Sequence, residues 1–221
     1  MAIGRSVTMH VMIFGAGYSG KAIAQALAPV TEHISGTTRS LDKTGLLQAA
    51  GITPFIFDGT RLDDGLRSEL SAVTHLVQSI APNAAGDPLL NGLGNDLLAF
   101  MPKLRWIAYL STVGVYGDHG GAWVDETTAC QPLSARSRDR LKAEQGWTEA
   151  AERADVPLAI LRLSGIYGPG RNAFRNLENG TARRLVKKDQ VFNRIRVEDI
   201  GAATAFLIAR DANGVFNVTD N

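Results

Sequence analysis

Apolar runs of strand length alternate along this chain with longer segments of helical spacing. In TMHVMIFGAGYSG (residues 8–20) the apolar run predicts a first strand that breaks at Gly15, Gly17 and Gly20, and KAIAQALA (21–28) predicts a helix after it. TEHISGTTR (31–39) predicts a second strand, residues 41–50 a polar helix, and ITPFIFD (52–58) a third strand. VTHLVQSIA (73–81) precedes a predicted helix over 88–100, and RWIAYLST (105–112) reads as a buried strand. Residues 134–154 have helical composition, PLAILRLSG (157–165) is strand-like, and 197–209 predicts an amphipathic helix. Repeated strand-helix-strand units require parallel pairing, with helices on both faces of the sheet. The expected fold is therefore α/β, a doubly wound parallel sheet in a single domain. Residues 165–190, rich in Gly, Arg and Asn, are expected to form a substrate-side insertion.

In such sheets ligands bind at the carboxyl ends of the strands, so the residues just after each predicted strand carry the functional information. The first such place is the glycine turn. A pyrophosphate can sit on a helix N-terminus only where the strand-to-helix turn is tight and clear of side chains. Gly15 allows the turn, Gly17 lets backbone N–H groups approach, and Gly20 lets the helix pack on the strand, with Tyr18 and Ser19 between them. The reading is a dinucleotide site.

The end of the second predicted strand decides which dinucleotide. An acidic residue there would hold a ribose 2′-OH and a basic one a 2′-phosphate. The chain has Thr38, Arg39 and Ser40 there, with Glu32 and Asp42 too far to either side. Arg39 can make charge-assisted bonds to a phosphate and lie against adenine, and Thr38 and Ser40 offer neutral donors. NADP is therefore expected over NAD, the alternative being that Arg39 is a solvated loop charge. Asp58, after the third strand, is placed either to accept from the adenine amino group or to close an Asx-turn with Gly59.

Composition narrows the partners. With 221 residues, 45% of them hydrophobic, the chain can bury a sizeable core. Its 23 Lys+Arg against 22 Asp+Glu give a net charge of +1, so no global field argues for nucleic acid or an anionic membrane. No apolar run approaches the length of a membrane helix, and no signal-peptide core precedes the glycine turn. Cys130 is the only cysteine, which excludes an intrachain disulfide and suits a reducing cytoplasm. It reads as a buried filler rather than a catalytic thiol. The expected partner is a small-molecule substrate, a homodimer is compatible with the sequence, and no metal-ligand set is assigned.

Four motifs together resemble those of the extended short-chain dehydrogenase/reductase family, in its epimerase/dehydratase branch and especially its atypical members. They are the glycine turn, Ser111-Thr112 ahead of Val115-Tyr116-Gly117, the YGPG loop at 167–170, and RIRVEDI at 194–200. The resemblance covers nearly the whole chain and implies a Rossmann-type sheet. It implies that Thr112 bonds the reacting hydroxyl or carbonyl, a role open to a hydroxyl at a strand end. The alternative is a turn-stabilising hydroxyl bonded to local backbone. The family also places the backbone of the fourth strand end, here Ser79 to Pro82 and including Ala81, beside the cofactor ribose, and would turn the YGPGR loop, with Arg171, toward substrate.

The chain departs from the family in the next helix, where a Tyr and a Lys four residues apart are expected. Alignment on Leu141-Lys142-Ala143-Glu144 puts Arg136 and Arg140 at those positions, and a guanidinium does not act as an acid at neutral pH. Arg140 can replace the lysine as a ribose or phosphate contact, or else Arg136, Arg138 and Arg140 form a solvated face. Tyr116, His119 and Tyr167 are the substitute proton donors to consider. A second departure is that family members continue past the stretch matching VFNVTDN (215–221), so the substrate lobe is expected to be reduced. The expected protein is an NADP-binding oxidoreductase-like protein acting on a nucleotide sugar or small carbonyl compound. The rival expectation is a catalytically inactive NADP-dependent redox sensor or regulatory binding module.

Overall fold

The computed structural model describes residues 8–94, 96–184, 186 and 191–220. In chain order its elements begin with β1 (His10–Phe14), α1 (Tyr18–Leu27), β2 (His33–Thr38), a 3₁₀ turn at Leu41–Lys43, α2 (Thr44–Gln48) and β3 (Thr53–Ile56). Next come α3 (Asp64–Leu70), β4 (His75–Gln78), α4 (Pro88–Leu93), α5 (Leu97–Phe100) and β5 (Trp106–Thr112). The chain then forms α6 (Ala135–Ala154), β6 (Leu158–Leu163), β7 (Gly165–Tyr167) and α7 (Ala173–Glu178), and ends with β8 (Arg194–Arg196), α8 (Val197–Ile208) and β9 (Gly214–Val218).

Seven strands form one parallel sheet in the order β3-β2-β1-β4-β5-β6-β9, and β7 and β8 form a separate parallel pair. The chain steps outward from β1 to β3 and then crosses back to β4. That reversal leaves a crevice above the carboxyl ends of β1 and β4, where Rossmann-type sheets bind ligands. Strand side chains alternate between faces. Met12 and Phe14 pack with Leu66, Leu89 and Trp147 on one side, and Val11 and Ile13 with Ile23, Leu27, Ile200 and Leu207 on the other. β4 and β6 are buried along their whole length, as a sheet covered on both faces requires.

The helices follow local signals. Ser134 caps α6 by accepting from the Ser137 N–H, and Asp155 ends it in the left-handed region at φ 52°. Its buried positions Ala143, Trp147, Ala150 and Ala151 repeat at helical spacing. Helices α1 and α8 touch almost backbone to backbone: a Cβ at Gly201 would lie 2.5 Å from the Ala22 carbonyl oxygen. The N-terminus of α1 is thus held by a helix from the far end of the sequence.

Some predicted elements change. The helix expected over 88–100 is two helices, because Gly94 ends α4 at φ 67° and Asp96 caps α5 by accepting from the Leu98 and Ala99 N–H groups. α3 was not predicted, although Leu62, Leu66 and Leu70 repeat at helical spacing and the Asp63 carboxylate accepts from the Leu66 N–H at its start. VFNVTDN contributes β9, a seventh strand beside β6. Among the described residues of 165–190, β7 and α7 are formed, and β7 pairs with β8 beyond that stretch. Residues 185 and 187–190 lie outside the described residues. Among the described residues no helix is long and apolar enough to cross a membrane.

Candidate active site

A cleft of about 600 Å³ opens at the β1–β4 crevice, lined by Gly15, Gly17, Tyr18, Thr38, Arg39, Asp58 and Ala81, among others. The turn beneath it is fixed to β2: the Gly15 N–H donates to Thr37 Oγ1 and the Ala16 N–H to the Thr37 carbonyl, both at 2.9 Å. Gly15 has φ +80°, and a Cβ there would lie 3.0 Å from Ile80 Cγ1. Gly15→Ala is expected to cost about 1–2 kcal/mol, and so to lower Tm by several degrees. A Tm within about a degree of wild type would show that the turn accepts a side chain. At Gly20 a Cβ would stand 3.1 Å from Ile13 Cγ2, which accounts for its expected role in helix-strand packing.

No side chain caps α1 at Gly17, and its first turn holds no acidic residue. Its first N–H groups, at Tyr18 and Ser19 among them, are therefore left for an anion, and the helix dipole favours one. Tyr18 also donates its hydroxyl to the Pro169 carbonyl at 3.0 Å, and the Arg171 guanidinium stands over its ring at 5.8 Å. The glycine turn and the YGPG loop are thus tied together.

At the end of β2 the cleft is basic. Arg39 is exposed there, and elsewhere on the lining stand Lys43, from the 3₁₀ turn, and Lys21, from α1. Neither lysine is among the residues expected from the sequence. The available signals were that Lys43 follows Arg39 by four residues and that Lys21 stands in the first turns of the helix after the glycines. Asp58 is the one carboxylate among the described lining residues. Its Oδ1 accepts from the Thr60 N–H at 2.9 Å and the Thr60 hydroxyl at 2.7 Å, so the Asx-turn around Gly59 is formed. Those bonds hold the Asp58 carboxyl below its ordinary pKa. Ser40 is turned to Asp42, whose carboxylate it holds below the ordinary value, and is not among the lining residues. Ser79 is not among the lining residues, and its N–H donates to the Phe14 carbonyl, while Ile80 and Ala81 line the cleft.

Thr112 ends β5, half-buried, and its Oγ1 accepts from the Gly114 N–H at 3.2 Å. The local bond is made, and the hydroxyl proton is not used in it. Arg140 reaches inward from α6. Its Nη1 donates to the Leu110 carbonyl at 2.7 Å and to the Tyr109 hydroxyl at 3.3 Å. It braces β5 two residues before Thr112 and is not among the residues lining the cleft. Arg136 is exposed, and Arg138 donates to the Leu133 carbonyl, so the three arginines do not form one solvated face.

Each substitute proton donor has a structural partner. Tyr116 is 2% exposed and its hydroxyl donates to Asn217 Oδ1 at 2.8 Å. His119 Nε2 meets the Tyr116 carbonyl at 3.1 Å. Tyr167 hydrogen-bonds Asp220, which raises its pKa. Cys130 is half-buried, and burial pushes its thiol above the ordinary value, the opposite of activation.

The comparison with known sequences settles the family, since residues 11–218 match the profile of the NAD dependent epimerase/dehydratase family. The chain belongs to that family. It is accordingly an NAD(P)-binding oxidoreductase-like protein, as the resemblance implied. The YeeZ protein of Escherichia coli (strain K12) is 26% identical over 219 residues, which cover 94% of this chain and 76% of that protein. A solved structure of a functionally unknown conserved protein from Silicibacter pomeroyi DSS superposes with a TM-score of 0.83 at 43% identity, covering 96% of this chain and 72% of that one. UDP-glucuronic acid 4-epimerase from Bacillus cereus, solved in complex with NAD, gives a TM-score of 0.74 at 21% identity, over 96% of this chain and 78% of that one. At that identity the likeness is one of fold.

Proposed function

We propose that this member of the epimerase/dehydratase family uses NADP rather than NAD for oxidoreductase chemistry on a small-molecule substrate, a nucleotide sugar or a small carbonyl compound. The observation that carries the reading is the pair of cations, Arg39 and Lys43, lining the cleft beside the end of β2, where an NAD site would place a carboxylate. The residues present fit the cofactor. The uncapped start of α1 receives the pyrophosphate over Gly15 and Gly17, and Arg39 and Lys43 receive the 2′-phosphate as a charged fork and a point charge. Thr38 stands beside Arg39 as a neutral donor, and Ile80 and Ala81, which also line the cleft, would hold the ribose side of the cofactor. NADP bound there supplies a hydride acceptor or donor. Thr112 uses its remaining hydroxyl proton to donate to the substrate oxygen on which charge develops. Arg140 acts as a positioning residue, holding the β5 backbone that carries Thr112.

Calorimetric titration with NADPH and NADH tests the preference. Wild type is expected to bind NADPH at least about tenfold more tightly, and Arg39→Ala and Lys43→Ala each to remove a large part of that ratio, since a charge-assisted bond contributes about 1.5–3 kcal/mol. An unchanged ratio in both variants would remove the basic pair from the argument.

A further inference from the structure

The amino end of the sheet, opposite the cofactor cleft, carries a second constellation. β1 and β2 pair in a register that sets His10 directly beside His33, and the two rings meet edge to face with centroids 4.5 Å apart. Glu69, near the end of α3, reaches over both. Its Oε1 lies 2.7 Å from His10 Nε2 and 3.1 Å from His33 Nε2. Ser35, two residues along β2 from His33, donates its hydroxyl to the same oxygen and lies 3.4 Å from His10 Nε2. One carboxylate oxygen offers about two lone-pair sites, yet two ring nitrogens and a hydroxyl converge on this one.

Two imidazole nitrogens and a carboxylate oxygen, all within 4.8 Å of one another, are the donor set of a first-row divalent transition ion. Tetrahedral Zn²⁺ at about 2.0–2.1 Å from its ligands holds them about 3.3 Å apart. The Glu69–His33 distance is close to that spacing. Glu69 and His10 would separate by about half an ångström, a movement within the reach of a glutamate side chain. The site is sheltered yet open on one side, with side-chain exposures of 14% for His10, 18% for Glu69 and 41% for His33. At about 3.3 Å of rise per residue along β1, it lies about 16 Å from Gly15.

We propose that His10, His33 and Glu69 form a binding site for a divalent transition ion of the zinc type, with the fourth position left to water and Ser35 as a hydrogen-bonding neighbour of the carboxylate. The ion would join β1, β2 and α3 across the end of the sheet. The inference is independent of the cofactor reading.

The full chain, stripped with a chelator and dialysed, is titrated with Zn²⁺ by calorimetry and with Co²⁺ by visible absorption, which reports tetrahedral coordination. The expected result is one ion per chain, a tetrahedral Co²⁺ spectrum, and binding weakened at least about tenfold by His33→Ala and by Glu69→Gln. His33→Ala truncates a partly exposed side chain, keeps the strand, and is expected to leave NADPH titration unchanged. Failure of Zn²⁺ to bind wild type would overturn the proposal. So would affinities that match wild type in both variants, which would place the ion elsewhere.

Discussion

Glu144→Ala is expected to lower stability by about 3–5 kcal/mol, the cost of leaving a buried charge without its partner. Glu144 and Arg162 are 4% and 6% exposed, and their side chains meet twice, Nη2 to Oε2 at 2.8 Å and Nε to Oε1 at 3.2 Å. Burial works against the Arg162 charge, and the bonds to Glu144 and Tyr116 outweigh it, holding its pKa above the ordinary value. The guanidinium also stands 4.8 Å over the Tyr116 ring, and Ser111 donates to Glu144 Oε1. The ion pair therefore ties α6 and β6 to the end of β5, next to Thr112. Urea denaturation would measure the loss, and the double variant Glu144→Leu/Arg162→Met should recover most of it, since a packed apolar pair avoids the desolvation penalty. A loss below about 1 kcal/mol for Glu144→Ala would show that water reaches the pair.

Stability is also expected to fall steeply in mild acid because of His75. Burial pushes its imidazole down from 6.5 to about 4; nearby Asp211 works against that shift and Arg105 adds to it. Its Nδ1 lies 2.8 Å from Thr74 Oγ1 and its ring lies beside Trp106. The folded state holds the neutral ring and the unfolded chain takes up the proton at the ordinary pKa. The stabilisation is therefore complete above about pH 6.5 and is lost as pH falls toward about 4. At about 1.4 kcal/mol for each tenfold difference in proton affinity, the loss is roughly 3 kcal/mol. Denaturation curves taken across this range with a chelator present, for wild type and His75→Gln, would isolate it. Equal acid slopes in the two proteins would assign the effect to other groups.

The glycine turn and the Arg39 end of β2 were legible in the sequence because a short run of neighbouring residues carries each of them, and 111–117 and 167–170 stood out as motifs although their partners lie far along the chain. A strand followed by G-x-G-x-x-G and a helix carries its geometry with it, and the apolar runs carry the sheet. Lys43 was less legible, since only the 3₁₀ turn at Leu41–Lys43 puts it on the lining of the same cleft as Arg39. For Arg140 the sequence supplied the position and left the direction open. The fold turns it onto the Leu110 carbonyl.

Sequence alone therefore determined the family, through its motifs, and the parallel α/β sheet, through periodicity and turns closed within a few residues. Only the tertiary structure decided what Tyr116 and Tyr167 do, because Asn217 and Asp220, which engage them, are contributed by and beside β9, far along the chain. It alone brought Glu144 to Arg162, His10 to His33 and Glu69, and α8 against α1 through Gly201. Those contacts join residues well separated in sequence, so their chemistry exists only once strand register and helix packing are fixed.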